Sequence, residues 1–405
     1  MKSISTPPQG TLSEAFGDSP VRSEFLPFHQ PWIGNEERNE VLDTLESGWL
    51  TKGPKTVAFE KQFANFIGVP HAVGTNSCTA ALHLALVALG VKPGDEVITT
   101  PITFAATVNV IEHCGARPVF VDVEEKSLNL NVELLEKAIT SRTKAMIPVH
   151  FAGKMCHMDE IMRIAQEHGI KVIEDAAHSL ESQYLGKSPG QWGDVAAFSF
   201  YATKNITTGE GGMLVAKDPE LAERVAVLSL HGLSRDAWKR YSKEGYRDWE
   251  ILEPGFKYHM ADLEASLGIH QLRKVHVFWE KRREIVNHYN HAFQEMKEIV
   301  SITREATINR HGYHLYVIRL KMGDRLTRDQ MLDRLQQEGI GVGVHFRAVH
   351  LHPYYKEKYK IPEGTLNVAE KASEEILSLP LYPRMSLKDA DDVVRAVKKI
   401  IVSSK

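Results

Sequence analysis

Asp175 and Lys204 are the two residues whose types and settings could do chemistry together. Asp175 closes the apolar run VIED, at what reads as the carboxyl end of a parallel strand, the edge at which open α/β sheets bind ligands. Lys204 lies in YATKNITTGEGG, a Gly- and Thr-rich turn between two further strand-like runs. Alone, each has an ordinary reading: a buried carboxylate satisfied by hydrogen bonds, and a solvated surface amine. Together they match a Schiff-base lysine, whose amine condenses with an aldehyde cofactor while a carboxylate keeps the ring nitrogen of that cofactor protonated. The cofactor implied is pyridoxal 5'-phosphate.

Such a cofactor also needs a phosphate site. GTNSCTAALHLAL sets small polar residues at a helix start, where the N–H groups of Cys78, Thr79 and Ala80 and the Thr79 hydroxyl could hold an anion. An ordinary N-cap explains the same residues. Ser199, on the run before Lys204, offers another hydroxyl. Phe104 is either a core aromatic or a ring stacked on the cofactor, and His178 is either a packing residue or a contact to the cofactor ring or its phenolic oxygen.

The elements that must position these residues follow from the apolar patterning. EVITT, RPVFVDV, KAMIPVH, KVIEDAA, VAAFSFY and GGMLVAK read as strands. Helices are expected from Asn35, as N-cap, to Gly48, at 79–89, at 133–139, at 158–168 and from Pro219. Near-continuous apolar strands alternating with helices predict an α/β fold with a mostly parallel mixed sheet between helices. Beyond about residue 262 the pattern changes to a long helix (263 to about 296), a strand YHLYVIRL, a helix at 327–339, a strand IGVGVHF and a last helix from Leu387. This divides the chain into an N-terminal arm (1–24) expected to be mobile, a large cofactor-binding α/β domain (25–262) and a smaller C-terminal α+β domain (263–405).

Composition bounds the partners. With 405 residues, 43% hydrophobic and 25% charged, and a formal charge of −3, the chain offers no electrostatic reason to bind nucleic acid or an anionic membrane. Its three cysteines stand far apart, which suggests neither disulfides nor a zinc knuckle and fits a cytoplasmic setting. No metal site is expected: His345, His350 and His352, or His150 and His157, lack the helical spacing of zinc hydrolases.

With these residues in place, the chain resembles the DegT/DnrJ/EryC1/StrS family of sugar-nucleotide aminotransferases from FLPFHQPWIG to the final helix. EDAAH matches the family motif that supplies the ring-nitrogen aspartate and a nearby histidine, here Asp175 and His178. SFYATKNITTGEGGM matches the motif with the phosphate serine and the cofactor lysine, here Ser199 and Lys204, and SCTAA matches the phosphate-binding helix start. Phe104 sits where the family stacks an aromatic ring on the cofactor. The resemblance implies the type I fold of pyridoxal-phosphate transferases, a homodimer with shared active sites, and L-glutamate as amino donor. LESGWLTKGPK, IPVHFAG and GVHFRAVHLHPYY are most similar to the branch that aminates C4 of a UDP-linked 4-keto sugar for lipid A modification. That similarity adds Trp49, Thr51 and Lys52 as sugar-side residues. His345 and Arg347 could both meet the sugar or a donor carboxylate if their strand is regular, since alternate residues share a face. One departure is His259 in GFKYHMAD, where many relatives carry an Asn that reaches the phosphate of the neighbouring subunit.

Two other readings share these residues. A sugar dehydratase of the same family would carry histidine in place of Lys204, and a non-catalytic nucleotide-sugar sensor would gain nothing from keeping both Asp175 and Lys204.

Overall fold

Seven apolar runs pair into one sheet: β1 (His71–Thr75), β2 (Glu96–Thr99), β3 (Arg117–Phe120), β4 (Thr143–Ile147), β5 (Lys171–Asp175), β6 (Val195–Ser199) and β7 (Gly212–Ala216). The computed structural model describes residues 19–234, 249–303 and 309–405. The spatial order is β1-β7-β6-β5-β4-β2-β3, and β7 alone runs against its neighbours. The start of β7 therefore meets the carboxyl ends of the other strands, and Gly212 lies opposite both Thr75 and Ser199.

Both faces of the sheet are covered, which is why its strands read as unbroken apolar runs. On one face Ile147, Ile173, Ala197 and Leu214 pack under Leu84, Ala85, Ile111 and Leu228. On the other, Ala196, Phe198 and Val215 meet Phe59, Phe63 and Ile269, while Met146 and Val172 meet Ile161 and Ile164. The helix Cys78–Ala88 is buried nearly all round, as its Ala/Leu content predicts.

A second sheet orders β10 (Ile376–Leu379), β9 (Tyr316–Leu320) and β8 (Ile299–Ser301), all antiparallel, and packs with the C-terminal helix Leu387–Val402. One long helix, Asp262–Ala292, serves both cores. Its first half (Ala265, Ile269, Leu272) joins the large sheet, and its second half (Trp279, Val286, Tyr289) joins the small one.

Several local expectations change. Gly34, not Asn35, caps the first helix, with the Glu37 carboxylate accepting the Gly34 N–H. Residues 133–139 form only a 3-10 turn and a single α-turn. The expected strand at 340–346 is replaced by isolated bridges, Leu26 to Ile340 and Gly343 to Ser378. The chains approach closely there: a Cβ on Gly341 would lie 2.6 Å from the Phe28 nitrogen, so the position takes glycine. The arm is also held where it is described. Arg22 pairs with Asp389 and Asp392, each at 2.8 Å, whereas residues 1–18 lie outside the described residues.

Candidate active site

The strand ends enclose a cavity of about 490 Å³. Asp175 and Lys204 both line it, with Cys78, Thr79, Phe104, His178, Ser199 and His345. Asp175 is buried at the end of β5, where Thr107 Oγ1 donates to its Oδ2 at 2.8 Å and the Ala177 N–H to its Oδ1 at 3.1 Å. Burial raises its pKa, and those two donors and the Lys204 amine oppose the rise. Burial drives the Lys204 amine down to about 8, against the pull of Cys78 and Asp175. A lysine so placed is a free amine for part of the time near neutral pH, as a nucleophile or base must be.

The helix start at Cys78 shows how the phosphate region is built. Ser77 caps the helix by accepting the Ala80 N–H at 3.1 Å. Ala80 is thus occupied and lies outside the cavity, while Cys78 and Thr79, at positions with no intrahelical acceptor, line it together with Ser77. β7 must pass very close for this. A Cβ on Gly212 would sit 2.4 Å from the Ser77 carbonyl carbon and 2.5 Å from the Cys78 nitrogen, so only glycine fits.

The other expected residues divide into two groups. His345 lines the cavity with Nδ1 2.9 Å from Ser378 Oγ, and burial near Lys204 lowers its pKa to about 4. Arg347 points elsewhere and donates to the Leu351 carbonyl at 3.1 Å, because the irregular chain there does not alternate as a strand would. Trp49, Thr51, Lys52 and His259 form a separate patch outside the cavity. Trp49 Nε1 donates to the Lys52 carbonyl at 3.0 Å, Thr51 Oγ1 lies 3.3 Å from His259 Nε2, and Lys52 pairs with Glu60 at 3.2 Å.

Sequence reasoning passed over Thr107, Ser77, His29, His314 and Phe346, all of which line the cavity. Phe346 stacks on His178 with centroids 5.8 Å apart. His29 has a buried Nε2 without a partner among the described residues, and burial, aided by Arg282 and Lys204, lowers its pKa to about 4. Thr107 lies on the helix that begins just after Phe104, the one signal that could have found it.

The residues present fit pyridoxal phosphate: an amine partly free near neutral pH for the aldehyde, a hydrogen-bonded carboxylate for the ring nitrogen, and open helix N–H groups for the phosphate. Known proteins agree. The sequence model of the DegT/DnrJ/EryC1/StrS aminotransferase family matches residues 31–398. The spore coat polysaccharide biosynthesis protein SpsC of Bacillus subtilis is 50% identical over 384 residues, 94% of this chain and 98% of its own. The UDP-4-amino-4-deoxy-L-arabinose–oxoglutarate aminotransferase of Shewanella sediminis is 41% identical over 386 residues, 94% of this chain and 99% of its own. A Streptococcus pneumoniae protein described as a sugar aminotransferase, solved in its PLP form, superposes with a TM-score of 0.87 at 32% identity, covering 94% of this chain and 100% of that one. The chain therefore belongs to the DegT/DnrJ/EryC1/StrS aminotransferase family, with the type I fold and pyridoxal phosphate as its cofactor.

Proposed function

We propose that this sugar aminotransferase moves the amino group of L-glutamate to C4 of a UDP-linked 4-keto sugar, leaving 2-oxoglutarate. The observation that carries the reading is the placement of Lys204 with the buried Asp175 carboxylate in one cavity lined by Cys78 and Thr79. The activity for which the Shewanella relative is named, with oxoglutarate as its partner substrate, supports the donor and the nucleotide.

Pyridoxal phosphate, when bound, supplies the aldehyde that carries the amino group and the ring that takes up the electron pair of the broken C–H bond. With the cofactor bound, Lys204 Nζ would be the group that holds its aldehyde, and once free it would move a proton from the donor α-carbon and later deliver one to the sugar C4. Asp175, whose carboxylate accepts from Thr107 Oγ1 and the Ala177 N–H, would hold a proton on the ring nitrogen. Cys78 and Thr79 N–H groups and Ser199 would bind the phosphate, and Phe104 would cover the ring.

Trp49, Thr51, Lys52 and His259 cluster outside this chain's cavity. In a homodimer with shared active sites, which the family resemblance implies, this patch completes the neighbouring subunit's site. The higher identity to SpsC favours a product destined for a cell-surface polysaccharide over lipid A.

A panel of UDP- and dTDP-linked 4-keto sugars, incubated with glutamate and analysed by mass spectrometry, tests the proposal. An amino sugar from a UDP-4-keto substrate, with one 2-oxoglutarate per product, is expected. Amination of dTDP sugars alone, or only with a donor other than glutamate, overturns the finer assignment.

A further inference from the structure

The loop that carries Lys204 is tied to the long helix by a buried polar chain that the chemistry above does not use. Glu181 and Arg282 form an ion pair with side chains 1% and 3% exposed. Asn205 donates its amide nitrogen to the Glu181 carboxylate and to the Gly312 carbonyl, the latter at 2.8 Å. Both partners only accept, so a flipped amide would set oxygen against oxygen. Asn205 Oδ1 must then be the atom 2.9 Å from His314 Nδ1.

An oxygen acceptor there places the imidazole proton on Nδ1. His314 Nε2 is left bare, and it is the ring nitrogen free to face the cavity that His314 lines. His178 is in the opposite state: its Nδ1 accepts the Ala152 N–H at 3.3 Å, so its proton is on Nε2. The two rings, 4.3 Å apart, thus offer the cavity one acceptor and one donor. Burial, with His178, Lys204, His345 and His29 nearby, holds His314 neutral.

A bare nitrogen selects its ligand by polarity. The carboxylates of an amino donor and the keto oxygen have only lone pairs to offer, and the donor's amino group is committed to the carbon that Lys204 held. Among the groups of the two substrates, the sugar hydroxyls remain. We propose that His314 Nε2 accepts a hydrogen bond from a hydroxyl of the keto sugar, and that Asn205 is the positioning residue that sets its tautomer. This rests on the sugar-aminotransferase reading of the site.

The test uses the cofactor-loaded enzyme and a UDP-4-keto sugar. Losing one neutral hydrogen bond in His314→Phe should raise KM for the sugar roughly tenfold. The half-reaction with glutamate alone, followed by the change in visible absorbance, should lose clearly less, and His314→Gln should recover part of the KM. Nitrogen-15 NMR of histidine-labelled protein should show His314 protonated at Nδ1, a preference that Asn205→Leu abolishes while raising the sugar KM. An unchanged KM in His314→Phe, an equal loss in both half-reactions, or a wild-type His314 protonated at Nε2 would each overturn the proposal. A wild type that aminates no keto sugar refutes the function instead, and the NMR tautomer still decides the role of Asn205.

Discussion

Thr107 Oγ1 donates to Asp175 Oδ2 at 2.8 Å, and Thr103 Oγ1 lies 2.7 Å from the same threonine oxygen. Because Thr107 spends its proton on Asp175, it must accept from Thr103, and the relay has one direction. Thr107→Val removes a hydrogen bond to a charged group, worth about 1.5–3 kcal/mol. Activity should fall by roughly tenfold to a hundredfold on that scale, and the acid limb of kcat/KM should move to higher pH, since the carboxylate loses a donor that favours its charged form. Thr107→Ser should stay close to wild type.

Lys204 gives the unliganded protein a pH signature. Its folded pKa, about 8, lies below the ordinary 10.5, so charging it opposes folding. The penalty is complete below about pH 8 and fades as pH rises to 10.5, where the lysine is neutral in both states. In urea melts without cofactor, Lys204→Met should be more stable than wild type at pH 7, and the gap should close across that window. The variant should also lose the visible absorbance that borohydride removes from wild type.

At Gly212 the expected cost is local and steric. Gly212→Ala puts a methyl into the Ser77–Cys78 backbone, and overpacking of this kind costs about 1–3 kcal/mol. Equilibrium dialysis with pyridoxal phosphate should show affinity weakened by about tenfold or more on that scale, because the helix start that binds the phosphate is what moves.

The Glu181–Arg282 pair predicts a non-additive result. Neutralising one partner alone, as in Glu181→Gln, strands a buried charge and should cost about 3–5 kcal/mol in chemical denaturation. The double variant Glu181→Gln/Arg282→Met should regain part of that loss.

Much of the fold was legible because local pattern and global burial agree. The strands that became β2 to β7 read as apolar runs since both faces of the sheet are covered. The helix Pro54–Ile67, which follows the first closely, carries its buried stripe in Phe59, Phe63 and Ile67. The strand at 340–346 was misread because alternating glycines look like pleating in sequence, whereas here they mark close approach.

The site was legible where one residue type carries the role alone. Asp175 and Lys204 stood out because a buried carboxylate and a lysine in a glycine-rich turn have few joint explanations. Thr107, His29 and His314 carry no such mark. Their importance lies in contacts made across the chain, such as the bond of His314 to Asn205.

The helix Asp262–Ala292 has 31 residues and is about 46 Å long at 1.5 Å per residue. It runs through both hydrophobic cores as one shaft, and the cavity takes Lys204 from the side of one core and His314 and His345 from the side of the other. A hinge between the two halves would have to break that shaft. The walls that carry the reactive amine and the histidines thus hang from the two halves of one rod, as the jaws of a calliper share one beam.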